Sequence, residues 1–597
     1  MQRFSVSEKR VIIVAIVFIF IVNLSAFFFI KGIKFFGQDY QLLSVVTKKL
    51  GVKSIKKTNS YEFLTRENIK NHDYLAPWYV INSYKIKNFR PVSNFFLIIE
   101  HSFFGLNYYF YRIISCILNG ILSVLLFFLL RLIFNRYKAA LFGITIFSLH
   151  SYNTIIVSSL SGQSYQLAMI FGVLSLLLFV EYRKYDKKIS MVFSLLFLIL
   201  AILSREIALI FPIFFIGYDL IYRRNNKEDI SRFIAGNSTY YIISGLIILG
   251  IISYYIYDSY GVIHGHNFFA RGSELFSHIF YSLSVYLPGF AFNIPPIKFA
   301  DNFYLILIIA FIFSVALYLP AFFNKKLRTK EFRFGFLIFI MSLIIVLPFE
   351  PDMSFVYMSL FAYAIFSTAY TMNLIKKFRR KWLFRVYALI FKILLPVAVA
   401  YLVINLDIKY YASSPQNQMI KSLLKIEDKI PQNANVYLFD TKMKDAQWDL
   451  IYGVRLYSNR NDYNIYPLTN FPYKKRFRKI NRPEYSIEIP DLSTITIQNT
   501  SDSGFFYSVN DKKYISSGAQ LKQGAEFSKK YFNVIIDYVG KSNKVKTVTF
   551  YFKTAIDDKK AVFLRWKQDK KDKTGHWVIQ KFISHKTARK IEMIDKK

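Results

Sequence analysis

The chain has 597 residues, of which 54% are hydrophobic and 19% aromatic, and its mean hydropathy is +0.28. This composition is too apolar for a soluble protein of that length and predicts many membrane spans. The net charge of +40 does not predict a nucleic acid partner, because much of the basic excess lies in short clusters between apolar runs, as the positive-inside rule describes. The single cysteine, Cys116, excludes a disulfide framework.

The first apolar run, 11–30, is long enough to cross a bilayer. It is too long for a cleaved signal peptide, and no small-residue cleavage pattern follows it. Asp39 comes soon after this predicted span. A charge so close to a membrane exit is costly unless it is paired, hydrated or functional. Two interpretations therefore stay open: Asp39 is solvated among lipid headgroups, or it has a role in function.

Placing the basic clusters in the cytoplasm predicts eleven spans, with the N-terminus inside and the C-terminus outside. Their approximate bounds are 11–31, 112–134, 139–150, 164–181, 189–204, 206–222, 236–257, 303–323, 334–349, 354–375 and 385–405. The segment 277–298 contains three prolines and is predicted to be re-entrant or interfacial. We therefore expect a multi-pass protein of the plasma (inner) membrane.

Two regions are predicted to lie outside the cytoplasm. The first is the loop 32–111, in which 74–84 is typical of a helix lying in the membrane plane. The second is the tail 412–597, where hydropathy drops. The sequence thus predicts a polytopic α-helical membrane domain over 1–411 and an extracytoplasmic α/β or α+β domain over 412–597.

The tail shows local patterns for its own elements. Apolar and polar residues alternate at 494–498, 547–552 and 561–566, which predicts strands. The segment 420–430 is predicted to be helical, and 435–440 is predicted to be a buried strand.

Two groups of charged residues are candidates for chemistry. Arg90 and Arg112 flank the outer end of the second predicted span, where arginine either reaches towards lipid headgroups or clamps a phosphate with two parallel hydrogen bonds. Arg205 and Glu206 are adjacent between two apolar runs. They form either a solvated tight turn or a charged pair that faces an internal cavity on a substrate path.

Three further polar residues, His101, His150 and Gln163, lie near predicted outer ends of spans. His264 and His266 are weak evidence for a metal, because a metal site needs three or four ligands. The sequence contains no Walker loop, no GxGxxG fingerprint and no HExxH motif, so ATP-driven transport and nicotinamide chemistry have no local support. No cofactor is expected, and a divalent metal stays open as an alternative without support in the sequence.

The order of these segments resembles that of the GT-C fold glycosyltransferases, in particular the transmembrane O-mannosyltransferases and bacterial enzymes that use polyprenyl-phosphate sugars. The similar segments are Phe89-Arg90-Pro91-Val92, Phe104-Gly105-Leu106-Asn107, Phe147-Ser148-Leu149-His150, Leu160-Ser161-Gly162-Gln163, Leu203-Ser204-Arg205-Glu206 and Val356-Tyr357-Met358-Ser359. The chain departs from the family pattern at Ile155, Gln163 and Ser354, and its tail has no TPR repeat.

The resemblance implies an enzyme that passes a sugar from a polyprenyl-phosphate donor to an envelope glycan, lipid or protein on the non-cytoplasmic side. Asp39 falls where the family keeps its acidic catalytic residue, which implies a general base. The resemblance also implies that Arg90, Arg112 and Arg205 hold the lipid phosphate. The other substrate-binding residues are then His101, His150, Gln163 and Glu206.

Two alternatives from other functional classes stay open. The first is a flippase or transporter for lipid-linked glycans, which needs polar residues that continue through the spans. The second is a non-catalytic GT-C scaffold whose basic tail binds anionic envelope polymers.

Overall fold

The fold is taken from a computed structural model of the chain. It describes residues 6–31, 34–35, 38–47, 60–62, 87–223, 240–246, 249–250, 253, 273–292, 304–347, 356–377, 415–439, 448–460, 462–469, 485–499, 523–540, 545–568, 575–580 and 589–590. The predicted in-plane helix 74–84, the predicted span 385–405 and the pair His264 and His266 lie outside the described residues.

The chain divides into two compact units. The first consists of Met1–Phe35, Phe89–Asp258 and Phe268–Tyr411, and the second of Phe36–Asn88, Ser259–Asn267 and Ala412–Lys597. The stretch Phe36–Asn88, which follows the first predicted span, therefore groups with the C-terminal segment.

The first unit is built from helices, as the apolar runs predict. They are α1 (Val6–Ile30), α3 (Pro91–Phe104), α4 (Tyr108–Phe134), α5 (Tyr137–Ser148), α6 (Tyr152–Ser158), α7 (Leu160–Tyr185), α8 (Lys188–Ser204), α9 (Phe211–Tyr218), α10 (Ser273–Phe292), α11 (Tyr304–Phe323), α12 (Lys330–Val346) and α13 (Tyr357–Lys377). Among the described residues, α4, α7 and α13 are long and apolar enough to cross a membrane. The mostly helical class with apolar helices is confirmed, while the number of spans and their orientation stay predictions.

The helices of this unit pack closely around buried aromatic and aliphatic side chains. At α12, a β-carbon on Gly335 would lie 2.6 Å from the backbone nitrogen of Phe366, so only glycine lets α12 approach the backbone of α13 this closely. In the segment 277–298, predicted to be re-entrant or interfacial, residues 277–292 are helical as part of α10, with Pro288 inside the helix, and the rest lies outside the described residues.

The predicted span 206–222 is not one α-helix. A 3-10 helix over Glu206–Ile210 comes first, then α9, then a π-helical turn over Asp219–Arg223. Pro212 lies in the first turn of α9, where its missing N–H is tolerated, and this explains why the α-helix begins only at Phe211. Hydropathy alone cannot reveal such a change of helix type.

Arg183, which the sequence places in a basic cluster at the membrane edge, is buried. Its side chain is 4% exposed and lies 2.7 Å from the carboxylate of Asp219, which is fully buried. The hydroxyl of Tyr241 donates to the same carboxylate over 2.5 Å. This ion pair joins the end of α7 to the π-helical turn.

The second unit contains the helices α2 (Gln38–Val46), α14 (Pro415–Lys425) and α15 (Trp448–Tyr457), together with the β-strands. These are β1 (Ser60–Glu62), β2 (Lys87–Phe89), β3 (Asn435–Phe439), β4 (Asn464–Pro467), β5 (Tyr485–Asp491), β6 (Thr494–Asn499), β7 (Glu526–Ser528), β8 (Phe532–Val539), β9 (Val545–Phe552), β10 (Ala561–Gln568), β11 (Gly575–Gln580) and β12 (Arg589–Lys590). The strands predicted at 435–440, 494–498, 547–552 and 561–566 are confirmed.

The C-terminal strands form two sheets. A four-stranded sheet has the order β11-β10-β3-β4, in which β10, β3 and β4 run parallel, and a six-stranded antiparallel sheet has the order β12-β5-β6-β9-β8-β7. Tyr437 of β3 packs edge-on against Phe532 and Phe552, so the two sheets share an aromatic core. The mixture of helices and sheets agrees with the predicted α/β or α+β tail.

Candidate functional site

Arg90 forms a two-pronged ion pair with Glu206. Its Nε donates to Glu206 Oε2 over 2.9 Å, and its Nη2 donates to Oε1. Arg90 directly precedes α3, and Pro91 starts that helix with a preset φ. The Glu206 carboxylate thereby lies near the N-terminus of α3, where the helix dipole favours a negative charge. The two side chains are 14% and 43% exposed, so the pair is only partly accessible.

Arg205, next to Glu206, points into the unit. It is 9% exposed, its Nη1 donates to Ser164 Oγ over 2.6 Å, and its guanidinium carbon lies 3.3 Å from the centre of the Tyr165 ring. A guanidinium stacked on an aromatic face retains donors at its edge for planar oxyanions. The interpretation of Arg205 as part of a solvated turn is therefore wrong.

Gln163, one residue before Ser164, connects two other helices. Its Nε2 donates to Glu100 Oε1 over 3.0 Å, and it also lies 3.2 Å from Ser115 Oγ and 3.3 Å from the Tyr111 carbonyl. Gln163 and Glu100 are 3% and 2% exposed. The first two turns of α7 thus contact Glu100 through Gln163 and Arg205 through Ser164.

Glu100 is a buried carboxyl group on α3, a helix outside the candidate spans. Burial raises the pKa of Glu100 from 4.5 to about 8, although the hydrogen bond from Gln163 and the charge of Arg112 oppose this shift. At neutral pH the group is therefore mostly protonated. Its second oxygen, Oε2, has no hydrogen-bond partner among the described residues.

Arg112 is the fifth residue of α4 and is fully buried. Its Nη2 donates to the carbonyl of Lys34 over 3.2 Å, and its guanidinium lies 6.0 Å from the centre of the Phe35 ring. The interpretation that Arg112 reaches towards lipid headgroups is therefore wrong. Its guanidinium belongs to the interior of the first unit.

These contacts define what we call the arginine–carboxyl cluster, which comprises Arg90, Glu100, Arg112, Gln163, Arg205 and Glu206. It contains three guanidinium groups and two carboxyl groups. Arg90 is paired with Glu206, Gln163 is bonded to Glu100, and the charge of Arg112 acts on Glu100. A further hydrogen bond, from Ser93 Oγ to the Ser204 carbonyl over 2.7 Å, ties α3 to the end of α8. The cluster includes five of the residues predicted from the sequence, and their role as one substrate site stays a prediction.

The start of α7 has its shape for local reasons. Ser159 caps the helix by accepting from the Gly162 N–H over 3.1 Å. A β-carbon on Gly162 would lie 1.9 Å from the Ile156 carbonyl oxygen, so glycine is required where α6 and α7 meet. This close approach fixes the direction in which Gln163 and Ser164 leave the helix.

His150 is buried elsewhere in the first unit. It is 3% exposed, its Nδ1 accepts from the Tyr152 N–H over 3.3 Å, and its ring lies among the rings of Tyr152, Phe290 and Tyr363. His101 follows Glu100 on α3 and is half-buried, and burial lowers its pKa below 6.5.

Asp39 lies in the first turn of α2, in the second unit. Its side chain is 1% exposed, so the interpretation that it is solvated among headgroups is wrong. Its role as a base, like the roles of the arginines, stays a proposal.

Glu100, Ser164 and Tyr165 are not among the site residues predicted from the sequence. Glu100 stands within an apolar stretch of α3, and Asn94, Leu97 and Glu100 form its buried face at helical spacing. A carboxyl group on the apolar face of a helix was therefore the available signal. Ser164 and Tyr165 carry no such signal, because both residue types are common in helices of this kind.

No protein family model matches the sequence, and no curated protein matches it. Among solved structures, the crystal structure of ArnT from Cupriavidus metallidurans in the apo state is similar to this chain. The TM-score is 0.42 and the identity 12%, with 77% of this chain and 85% of that chain covered.

Proposed function

We propose that the protein is an integral-membrane glycosyltransferase. It transfers a sugar from a polyprenyl-phosphate donor to an envelope glycan, lipid or protein on the non-cytoplasmic side of the plasma (inner) membrane. The observation that carries this proposal is the arginine–carboxyl cluster, in which Arg90 pairs with Glu206 and the adjacent Arg205 is buried and stacked on Tyr165. The motif order, which resembles that of GT-C glycosyltransferases, supports it.

Phosphate recognition explains why arginines are the prominent residues of such a site. When the bond between sugar and carrier breaks, negative charge grows on the leaving phosphate. Arg205 is stacked and buried, and Arg90 is oriented by Glu206, so both guanidiniums are held in place before the ligand arrives. Groups fixed in this way stabilise the developing charge without reorganising. Their effect is larger away from bulk water.

The acceptor hydroxyl must lose a proton as it attacks the sugar carbon from the face opposite the phosphate. We assign this proton to the carboxylate of Asp39, acting as general base. The new bond forms between acceptor oxygen and sugar carbon, the bond to the phosphate oxygen breaks, and the lipid phosphate leaves as an anion. One such displacement inverts the configuration of the sugar carbon. The reaction requires no cofactor.

The test uses the full-length protein in lipid nanodiscs. A panel of undecaprenyl-phosphate monosaccharides carrying glucose, mannose, galactose or arabinose is offered with isolated envelope glycans and glycolipids. Arg90→Ala and Arg205→Ala are expected to lower kcat/KM by about 100-fold, the effect of losing one preorganised donor. Asp39→Asn is expected to lower kcat by at least as much.

A matched control is available on α4. Arg131→Ala removes a guanidinium in the last turn of the same helix that carries Arg112, where it stacks on Tyr137 at 4.4 Å. The two positions are separated by roughly 29 Å along the helix. We expect wild-type kinetics for this variant. Full activity of Asp39→Asn refutes the base, and unchanged kinetics of Arg90→Ala and Arg205→Ala refute the phosphate site.

A flippase is the alternative from another class. Polar residues do occur within the helices: Asn119 donates to Asn23 over 2.6 Å and accepts from Tyr357 over 2.7 Å. Because these groups satisfy one another, they fit the usual hydrogen bonding between packed helices better than a polar path. Movement of a fluorescent lipid-linked sugar across proteoliposomes, without transfer to any acceptor, is the result that selects the flippase.

A further inference from the structure

The C-terminal segment has no role in the proposed reaction so far, yet it holds the helix that carries Asp39. Helix α2 has only nine residues. Isolated helices of that length are marginal in water, because the nucleation cost is not recovered over so few turns. The conformation of α2, and therefore the direction of the Asp39 side chain, has to come from packing.

The buried face of α2 supplies this packing. Tyr40, Leu43 and Ser44 are at most 1% exposed and lie at the i, i+3 and i+4 positions of one helix face. The Tyr40 hydroxyl donates to Asn417 Oδ1 on α14 over 2.5 Å, and its ring packs edge-on against Tyr457 of α15 at 6.4 Å. Tyr40 is the residue next to Asp39.

The two helices against which α2 packs, α14 and α15, are held in place by contacts of their own. A β-carbon on Gly453 would lie 2.3 Å from Ile420, so glycine lets α15 pack tightly on α14. The Trp577 indole of β11 donates to the Met419 carbonyl over 2.9 Å, and its backbone N–H donates to Ser422 Oγ over 3.0 Å. An unbroken series of packed contacts therefore runs from the four-stranded sheet through α14 to α2.

We propose that the C-terminal segment is a positioning element of the active site, which fixes Asp39 through the Tyr40–Asn417 hydrogen bond. The inference rests on the proposed function of Asp39 as the base. Tyr40 and Asn417 are positioning residues, since they act through Asp39 and touch no reacting atom. A base displaced by about 1 Å loses on the order of 100-fold in rate, because proton transfer requires close alignment with the acceptor.

The first measurement needs no substrate. Hydrogen–deuterium exchange of the α2 amides is compared in nanodiscs for the wild type, Tyr40→Phe and Asn417→Ala. We expect exchange at residues 41–46 to become at least 10-fold faster in both variants and no further in the double variant, because both remove the same bond. Asn417→Asp retains the acceptor oxygen and is expected to restore protection. Equal exchange in all five proteins overturns the proposal.

The second measurement separates positioning from binding. With a donor that the wild type uses, both variants are expected to lower kcat by about 10- to 100-fold while KM for the donor changes less than about 2-fold. The matched control is Tyr463→Phe, which removes another buried tyrosine hydroxyl of the second unit, bonded to Glu427 over 3.0 Å. This control should leave kcat and α2 exchange unchanged.

The outcomes distinguish the two proposals. If Asp39→Asn abolishes transfer but Tyr40→Phe and Asn417→Ala keep wild-type kcat, the positioning role is wrong and the transferase stands. If Asp39→Asn is fully active, the base assignment fails, whatever α2 does in the exchange experiment.

Discussion

Replacing Glu100 by glutamine tests the electrostatics of the arginine–carboxyl cluster. Glutamine has the shape of the protonated acid, and its carbonyl still accepts the hydrogen bond that Gln163 Nε2 donates to Glu100 Oε1. The difference between the two proteins therefore reports on ionisation of the buried carboxyl group. The pKa of Glu100 is raised from 4.5 to about 8, chiefly by burial.

The direction in which stability changes with pH follows from the number of protons that the folded and unfolded chains bind. Between pH 4.5 and 8 the folded protein holds a proton on Glu100 that the unfolded chain has lost, so stability falls as pH rises through this window. The slope is about 1.4 kcal/mol per pH unit. Across the whole window the wild type loses about 5 kcal/mol relative to Glu100→Gln, and above pH 8 the difference stays constant.

The buried cysteine provides the assay. Cys116 is the only cysteine of the chain and is buried in α4, one turn from Arg112. A dye that becomes fluorescent on reaction with a thiol therefore reports opening of this region. We expect the unfolding midpoint of Glu100→Gln to exceed that of the wild type by an amount that grows from pH 5 to pH 8. A difference that is the same at every pH refutes the raised pKa.

Two further substitutions test packing and the second ion pair. Gly162→Ala places a methyl group 1.9 Å from the Ile156 carbonyl oxygen, so we expect a loss of about 1–3 kcal/mol in thermal unfolding, whereas Gly245→Ala, with nothing within 4 Å, should change little. Asp219→Asn leaves the buried Arg183 without its counter-charge and is expected to cost about 3–5 kcal/mol, seen as a lower unfolding midpoint and lower yield. If Gly162→Ala has the unfolding midpoint of the wild type, the close approach at Gly162 is contradicted. If Asp219→Asn has it, the stabilising role of the Arg183–Asp219 ion pair is contradicted.

The sequence predicts elements well where a signal is repeated over many residues. Spans such as α4 and α7 are visible because apolar residues accumulate over more than twenty positions. Strands such as β6 and β9 are visible because one face is buried between two sheets and the other is polar, which imposes alternation. The interruption at Glu206–Ile210 was missed because 3-10, α and π turns share one hydropathy signal.

Five of the six residues of the arginine–carboxyl cluster were predicted from the sequence, but Glu100 and the contacts between the residues were not. Arg90 and Glu206 are 116 positions apart, and Gln163 and Glu100 are 63 positions apart. A local sequence pattern therefore predicts neither pair. Hydropathy assigns a charged residue to the end of a span but does not identify its neighbour on another helix. For the same reason the sequence fitted two interpretations of Arg112 equally well, a lipid-facing residue and a phosphate-binding residue, although Arg112 is fully buried.

Tyr40 and Asn417 are separated by 377 positions along the chain. A ribosome adds about 5–20 residues per second, so roughly 20–75 seconds pass between synthesis of the two. During that time α2 has already emerged while its support does not yet exist. A nascent or prematurely ended polypeptide therefore carries Asp39 without the helix that holds Asn417, and the proposed positioning of Asp39 begins only once translation has delivered that helix.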